Sequence, residues 1–425
     1  MTDQVALTIL APVKMGATAA LRQVLAGMAK DPAGNATIPL GKLSTVHFAR
    51  LLLLEETHDL RGATIPANLI WMSDADVPLD RHLEQLLDVA GEGLDQLFGY
   101  CDGYPEPGRG DRERRRAYLH AHTIRNQAVY VNTIRRTVAQ VRAESRLHDA
   151  LEDFLDRARG EWPGWDAAKV RDAIRTFVDS DAALRWARRP AAPPSLGWRI
   201  RQALDFAGLP LLVFALSPAL LAALPVWLWL LRRHEQTDAA PHVVPDPVHE
   251  QALADLEDWV AQNQFSAVGF LKPGWFRLLT TLVVLRLVNF GARHLFNRGN
   301  LAGVKTIHFA RWVMINDRRR VIFASNYDGS LESYMDDFID KVYWGLNAVF
   351  SNGVGYPRTR WLLFDGSRDE QAFKDFLRVH QVPTQVWYSA YPQLTARNLE
   401  NNANIRQGLS GVMDSVAARQ WLQRL

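Results

Sequence analysis

Two parts of the chain repeat one another, and this repeat constrains the fold more than any other feature of the sequence. The segment STVHFAR recurs as KTIHFAR, and LIWMSD recurs as VIFASN. The order and spacing of the matches are kept, so we interpret the chain as a tandem duplication. The matching segments are 44–50 with 305–311, 69–74 with 321–326, and 97–105 with 349–357.

Hydrophobic periodicity predicts the element order βαββαβ in each copy. This is the ferredoxin-like, split βαβ order, an α+β arrangement in which two helices cover one face of a four-stranded antiparallel sheet. Two such sheets in one chain can cover each other's open faces. The predicted strands are 5–13, 45–54, 68–73 and 126–132 in copy one, and 265–271, 306–315, 321–325 and 384–389 in copy two. The predicted helices are 17–28, 79–98, 275–296 and 331–350.

The element order and the duplication resemble the dimeric α+β-barrel superfamily, whose tandem members include the dye-decolourising peroxidases. The resemblance covers about residues 3–140 and 263–391. It implies a pseudo-two-fold barrel built from the two copies. We therefore predict ferredoxin-like repeats at 1–140 and 263–395, a helical insertion at 141–262 and a C-terminal helical tail at 396–425.

Composition excludes several classes of protein. Apolar residues make up 48% and charged residues 22%, which allows substantial cores and excludes a wholly disordered chain. The net charge of +3 is too small for a dedicated nucleic-acid binder, so we expect no nucleic-acid partner. Cys101 is the only cysteine, which excludes internal disulfides and a Cys-based zinc site.

The insertion carries an apolar segment at 206–231 that has no charge in 26 residues. As a straight helix it would reach about 39 Å, against a hydrocarbon core of roughly 30 Å. Pro210, Pro218 and Pro225 interrupt it, so we predict a re-entrant or in-plane hairpin that leaves both copies on one side, the cytoplasmic side. The alternatives are a single-pass helix and a hairpin buried in a soluble protein. The predicted membrane-anchor residues are Trp198, Phe206, Pro218, Trp227, Trp229 and Leu231.

Equivalent strands of the two copies carry His47 and His308. One interpretation is a metal, haem or acid-base pair at a pseudo-two-fold axis. The alternative is a pair of hydrogen-bonded structural histidines retained from the duplication. Arg50 and Arg311 should point to the opposite sheet face, because side chains alternate along a strand, and we consider them as ligand-binding residues.

Lys14 and Lys272 lie where the first strand of each copy turns into the first helix. A lysine and backbone amides at such a turn can hold an anion, and the alternative is an ordinary turn. The second helices carry acidic residues four positions apart, for which we expect Arg partners. These acidic residues are Asp80, Glu84 and Asp88 in copy one and Glu332, Asp336 and Asp340 in copy two.

The loop at 99–103 (GYCDG) resembles the Gly-x-x-Asp-Gly motif of the dye-decolourising peroxidases, in which the Asp works on the distal side of haem. By that resemblance Asp102 would be the distal acid. No His occurs at 149–233, roughly where the proximal ligand of that family should follow. The cofactor is therefore left unknown, and haem is not favoured.

Three hypotheses about function follow. The first is a membrane-associated protein that binds a small hydrophobic or amphipathic molecule such as a lipid, with oxidation of that molecule left open. Membrane lipids and the hydrophobic ligand would then be its partners. The second is a haem peroxidase of the dye-decolourising type, and the third is a non-enzymatic membrane scaffold.

Overall fold

The computed structural model describes residues 4–106, 112–157, 159–190, 193–257, 261–296 and 299–425. Copy one contains the predicted strands and helices, together with two very short strands and one additional helix. Its elements are β1 (Val5–Pro12), α1 (Thr18–Ala29), β2 (Val46–Leu54), β3 (Thr57–His58), β4 (Thr64–Ile65), β5 (Asn68–Ala75), α2 (Leu79–Phe98), α3 (Arg112–Ala121) and β6 (Asn126–Val131).

Helices fill the insertion, and copy two and the tail follow it. The insertion contains α4 (Val138–Arg157), α5 (Ala167–Ser180), α6 (Leu196–Thr237) and α7 (Pro247–Ala254). Copy two contains β7 (Gln262–Phe270), α8 (Trp275–His294), β8 (Ile307–Ile315), β9 (Arg320–Asp328), α9 (Leu331–Phe350), β10 (Thr359–Arg360), β11 (Phe364–Asp365), α10 (Glu370–His380) and β12 (Val386–Ser389). The tail contains α11 (Ala396–Gly408) and α12 (Ser415–Leu422).

The two main sheets are antiparallel and share strands between the copies. The first has the order β1-β5-β2-β12 and the second has the order β6-β8-β9-β7. Thus β12 of copy two pairs with β2, and β6 of copy one pairs with β8. The predicted ferredoxin-like unit is therefore not self-contained in either copy. Because each sheet needs strands from both copies, the copies must lie in the same compartment.

The open faces of the two sheets pack together, as predicted from the duplication. Leu52 and Leu54 of β2 meet Val313 of β8 in this layer, while Leu51 and Leu53 point to the helices. With both faces covered, β2 is buried along its whole length. The apolar layer between the sheets thus joins the two copies.

The predicted closed barrel does not form. Isolated bridges join the sheet edges, between Ile9 and Thr123 on one side and between Ala267 and Gln381 on the other. No continuous strand ladder closes the sheets in the described ranges. The protein is an α+β protein with two facing antiparallel sheets, and the prediction of a barrel is corrected accordingly.

Each copy adds a helix before its last strand, α3 and α10, which periodicity did not predict. Their polar faces pair with the acidic stripes of α2 and α9. Arg112 contacts Glu84 and, at 2.6 Å, Asp88, while Lys374 contacts Asp336 at 2.7 Å. The acidic stripes are therefore matched by basic side chains, as expected, although one partner is a lysine.

The apolar segment forms part of one continuous helix, so the predicted re-entrant hairpin is wrong. At 42 residues, α6 contains Pro210, Pro218 and Pro225 within its length and extends over about 63 Å. Pro218 cannot donate a backbone hydrogen bond to the Phe214 carbonyl four residues earlier. The Ser217 hydroxyl donates to that carbonyl instead, at 2.7 Å, which helps the helix to continue.

Two helices of the described ranges, α6 and α8, are long and apolar enough to cross a membrane by length and composition. They run antiparallel along each other. Phe206 of α6 stacks on Phe290 near the end of α8, and Trp227 meets Phe276 near its start. As predicted, α8 packs one face on its sheet, where Leu285 joins the core of copy two.

The first two helices of the insertion and the two tail helices build a separate cluster. Leu147 and Ile174 pack there against Ile405 and Trp421. Arg171 donates through Nε to the Gly408 carbonyl at the end of α11, at 2.9 Å. The insertion and the tail, predicted as separate segments, thus pack together.

Candidate functional site

The strand irregularities place both predicted histidines at equivalent β-bulges. The register of β2 shifts between Val46 and Phe48, and that of β8 shifts between Ile307 and Phe309. A bulge leaves an extra residue that is re-aimed relative to its neighbours. His47 and His308 are these extra residues, and both are fully buried.

His47 lies among polar partners that come from distant parts of the chain. Its Nδ1 and the Tyr391 hydroxyl form a 2.8 Å hydrogen bond, and its Nε2 is 3.9 Å from Asp76 Oδ2. Burial, with the nearby Arg136 and His308 adding to it, lowers the pKa of His47 to about 3. His47 is therefore neutral at pH 7.

His308 has a closer carboxylate partner. Its Nε2 donates to Asp328 Oδ1 at 2.6 Å. Asp328 also accepts from the backbone N–H of Ala396, the first residue of α11, just as Asp76 accepts from Val138, the first residue of α4. The two histidines thus adjoin carboxylates that hold the starts of two helices, which favours the structural interpretation.

Aromatic rings fill the space between the two histidines. Phe309 lies 5.3 Å from the ring centroid of His47, and Phe48 lies 5.5 Å from that of His308. In the described part of the chain, no group of three or more His, Cys, Asp or Glu side chains could hold a metal ion. Both histidines are buried, and aromatic rings occupy the space between them. The pair therefore does not fit the haem that the resemblance implies.

The side chains of Arg50 and Arg311 point between the sheets. Each guanidinium group donates hydrogen bonds to the opposite sheet. Arg50 donates to Phe265 O, Ser266 Oγ, Ser325 O and Asn326 Oδ1, at 2.5–2.8 Å. Arg311 donates to the equivalent set in copy one, Leu7 O, Thr8 Oγ1, Ser73 O and Asp74 Oδ1. Both predicted ligand-binding arginines therefore join the sheets, and their ligand-binding role stays a prediction.

The two cross-sheet contacts differ in charge. Arg311 faces the carboxylate of Asp74, whereas Arg50 faces the amide of Asn326. Burial, with the nearby charge of Arg311, lowers the pKa of Arg50 to about 9. Burial also raises the pKa of Asp74, against the pull of both arginines. One carboxylate thus serves two buried guanidinium groups.

Lys14 and Lys272 lie at equivalent turns and stabilise the ends of the second helices. Lys14 Nζ donates to the Gly99 carbonyl after α2, at 2.7 Å. Lys272 Nζ donates to the Ser351 carbonyl after α9, at 2.9 Å. A cation at a helix C-terminus is favourable. Burial lowers the pKa of Lys272 to about 8, with Arg277 adding to the effect.

Asp102 lies far from the histidine pair. It is exposed in the loop after α2, where its backbone N–H donates to Pro12 O. Asp76, next to His47, lies near the opposite end of β1, because Val5 pairs with Ala75. The eight residues of β1 separate the two ends by roughly 25 Å. The structure therefore does not bring Asp102 and the histidines together.

An apolar cavity of about 320 Å³ lies in copy two between its sheet, α8 and α9. Its volume falls within the roughly 300–1,000 Å³ typical of small-molecule sites. Phe265, Trp312 and Phe323 form the sheet wall, and Val288 and Met335 come from the two helices. None of the predicted catalytic or ligand-binding residues lines it.

The cavity wall offers almost no polar group. Three lining residues carry a side-chain polar atom, Trp312, Trp344 and Tyr334, and the buried indole N–H of Trp312 has no hydrogen-bond partner in the described part of the chain. The Tyr334 hydroxyl donates to Ser325 Oγ at 2.9 Å. That hydrogen bond, inside the protein, already uses the hydroxyl proton. The cavity therefore suits an apolar ligand, or the apolar part of an amphipathic one.

Sequence reasoning missed this cavity, although one signal was present. The first helix of copy two spans 20 residues, whereas the first helix of copy one spans 12. The additional turns include Leu287, Val288 and Gly291, which line the cavity. The difference in length between the repeated helices thus marks the part of copy two in which the cavity lies.

The end of α6 is attached firmly to copy two near this cavity. The buried carboxylate of Glu235 accepts from the backbone N–H groups of Trp361 and Leu362, at 3.0 and 2.7 Å. Leu231, predicted as a membrane anchor, is buried against Phe276 instead.

At the other end of α6, the guanidinium of Arg135 lies over the ring of Trp198, 5.1 Å from the ring centroid. Both ends of α6 therefore contact the same folded body.

Comparison of the chain with protein-family models, with curated proteins and with solved structures finds no match. The cavity and the apolar helices beside it are therefore the features of the molecule that bear on its function.

Proposed function

We propose that the protein lies on a membrane surface and binds the apolar part of a lipid or similar amphipathic molecule in the cavity of copy two. The observation that carries this proposal is the apolar cavity beside two apolar helices. The described residues that line it are almost all apolar, so we propose binding, and oxidation of the ligand stays a prediction.

Membrane attachment through α6 supports the same proposal. Its apolar residues are exposed all around the helix, with Phe214 at 78% and Leu221 at 68%. A helix that is apolar all round needs a nonpolar environment. Since both ends of α6 contact one folded body and the copies share sheets, we place α6 along the membrane rather than through it.

The sidedness and the ancestry also remain proposals. The cytoplasmic side is favoured by the arginines that flank the apolar stretch, Arg199 and Arg201 before it and Arg232 and Arg233 after it.

We also propose that the copies derive from ferredoxin-like repeats of the dimeric α+β-barrel superfamily. The filled layer between the sheets favours a purely structural role for that interface, as the scaffold alternative would have.

Two measurements test the proposed function. Protein purified in mild detergent should release a stoichiometric lipid on solvent extraction, and it should bind a fluorescent fatty acid. Val288→Trp should fill the cavity and weaken fatty-acid binding about tenfold or more, because the bulky ring takes the space of the ligand. Val89→Trp, the same change at a half-buried helix position of copy one, is the control.

Equal binding by Val288→Trp and the unaltered protein would argue against the cavity as the site.

Membrane attachment is tested by the triple change Leu211→Arg, Phe214→Arg and Leu221→Arg. This variant should be released from vesicles in flotation experiments. Continued flotation of this variant would argue against α6 as the attachment.

A further inference from the structure

The mouth of the cavity is marked by three residues that both line it and reach the surface. Leu287 of α8 is 53% exposed, Trp344 of α9 is 45% exposed, and Leu363 of the β10–β11 hairpin is 40% exposed. All three are apolar and come from different elements. A ligand that enters here passes an apolar rim, unlike the polar rim expected of a site that opens to water.

The β10–β11 hairpin is held in an unusual shape that exposes apolar side chains. Trp361 and Leu362 have positive φ values of 55° and 64°, a region that bulky residues rarely adopt. The carboxylate of Glu235 accepts from both of their N–H groups. As a result Trp361, Leu363 and Phe364 are all exposed at the hairpin tip.

The mouth belongs to one larger apolar surface. Leu279 and Val283 precede Leu287 on α8 at intervals of four residues and are also exposed, so they extend the rim along one helix face. On the other side, Leu231 of α6 packs with Leu362 of the hairpin. The exposed apolar residues of α6 therefore continue the surface around the mouth. An apolar surface of this extent marks a contact with a membrane or a partner.

We propose that the ligand enters the cavity directly from the bilayer through the mouth formed by Leu287, Trp344 and Leu363. The hairpin and the outer face of α8 then lie in the membrane surface together with α6. The ligand is accordingly a membrane lipid with at least one long acyl chain, which enters chain first and keeps its polar head at the interface. This inference rests on the proposed function and names its ligand class.

Loading from vesicles tests this route. Full-length protein is mixed with phosphatidylcholine vesicles that contain pyrene-labelled phosphatidylcholine, and the loss of excimer fluorescence reports entry of single lipids into the protein. Leu279→Arg and Phe364→Arg change exposed residues of the apolar surface beside the mouth that do not line the cavity. Each should slow loading about tenfold, because a charge at membrane depth is costly. Leu60→Arg changes a residue of copy one with matching exposure, 51%, and should leave the rate unchanged.

A water-soluble naphthalene sulfonate dye, added without vesicles, separates the two proposals. Its affinity should stay within about twofold in Leu279→Arg and Phe364→Arg, because neither residue lines the cavity. Normal dye binding with unchanged lipid loading in both variants would overturn the bilayer route and leave the proposed function standing. Failure of the unaltered protein to bind either probe would overturn the proposed function itself. If either Arg variant loses dye binding, Val283→Gln, at another exposed residue outside the cavity lining, replaces it and decides the outcome by the same criteria.

Discussion

At the scale of single residues, the duplication is clearest where two buried arginines cross between the sheets. Arg50 and Arg311 use equivalent acceptors in the opposite copy, yet only Asp74 supplies a carboxylate, and Asn326 takes its place on the other side. A buried charge that loses its partner is strongly destabilising. The presence of one carboxylate in this layer should therefore matter more for stability than whether it lies at position 74 or at position 326.

A charge exchange between these positions tests this. Asp74→Asn leaves two buried guanidinium groups without a carboxylate, so it should lower the free energy of unfolding by about 3 kcal/mol or more. Adding Asn326→Asp moves the carboxylate to the equivalent site and should recover most of the loss. Urea unfolding of the unaltered, single and double variants gives the answer. A double variant no more stable than Asp74→Asn would contradict the internal symmetry.

His47 provides a pH-dependent test. Its pKa of about 3 in the folded protein lies below the ordinary value of 6.5, so the unfolded chain binds the proton more readily between those values. Stability from this group is therefore lost as the pH falls through that window. At pH 4.5 the loss should be about 2–3 kcal/mol, and His47→Gln should remove it.

The measurement is the free energy of unfolding at pH 7 and pH 4.5. His58→Gln, a change at an exposed histidine, serves as the control and should leave the pH dependence as it is. An unaltered pH dependence in His47→Gln would show that burial does not keep His47 neutral.

At the scale of elements, sequence periodicity predicted the long strands and the first two helices of each copy, and it did not predict α3 and α10. It missed α3 because that helix carries few buried apolar residues and is held by ion pairs such as Arg115 with Asp95. The hairpin was predicted from the three prolines of the apolar segment, because the sequence pattern does not show that the Ser217 hydroxyl donates to the carbonyl that Pro218 leaves without a partner. The hydrogen bond between His47 and Tyr391 joins residues 344 positions apart. It depends on the pairing of strands from different copies, which the sequence pattern did not predict.

Glu235 is predicted to fix the hairpin to α6. Glu235→Ala removes the acceptor for the N–H groups of Trp361 and Leu362, so their amide hydrogen exchange should accelerate about tenfold or more. Asp205→Ala, which removes an exposed carboxylate from the same helix, should not change exchange there. Unchanged protection in Glu235→Ala would show that the hairpin holds its shape without α6.

At the scale of the whole molecule, the strands shared between the copies predict that both copies lie on one side of the membrane to which we propose that the protein binds. Cysteines placed singly at Met15 in copy one and Asp317 in copy two, with Cys101 changed to Ser, should react with a membrane-impermeant reagent from the same side of sealed vesicles. Both positions are highly exposed. Labelling from opposite sides would contradict the shared sheets.

Photolabelling with a membrane lipid measures directly whether the cavity of copy two holds an acyl chain. Phosphatidylcholine with a diazirine near the end of one acyl chain is included in vesicles, irradiated with the bound protein, and the adducts are mapped by mass spectrometry. We expect adducts inside the cavity of copy two, at residues such as Met335 and Phe338, and their loss in Val288→Trp. Adducts confined to the outer surface of α6, with none in the cavity, would contradict lipid binding there.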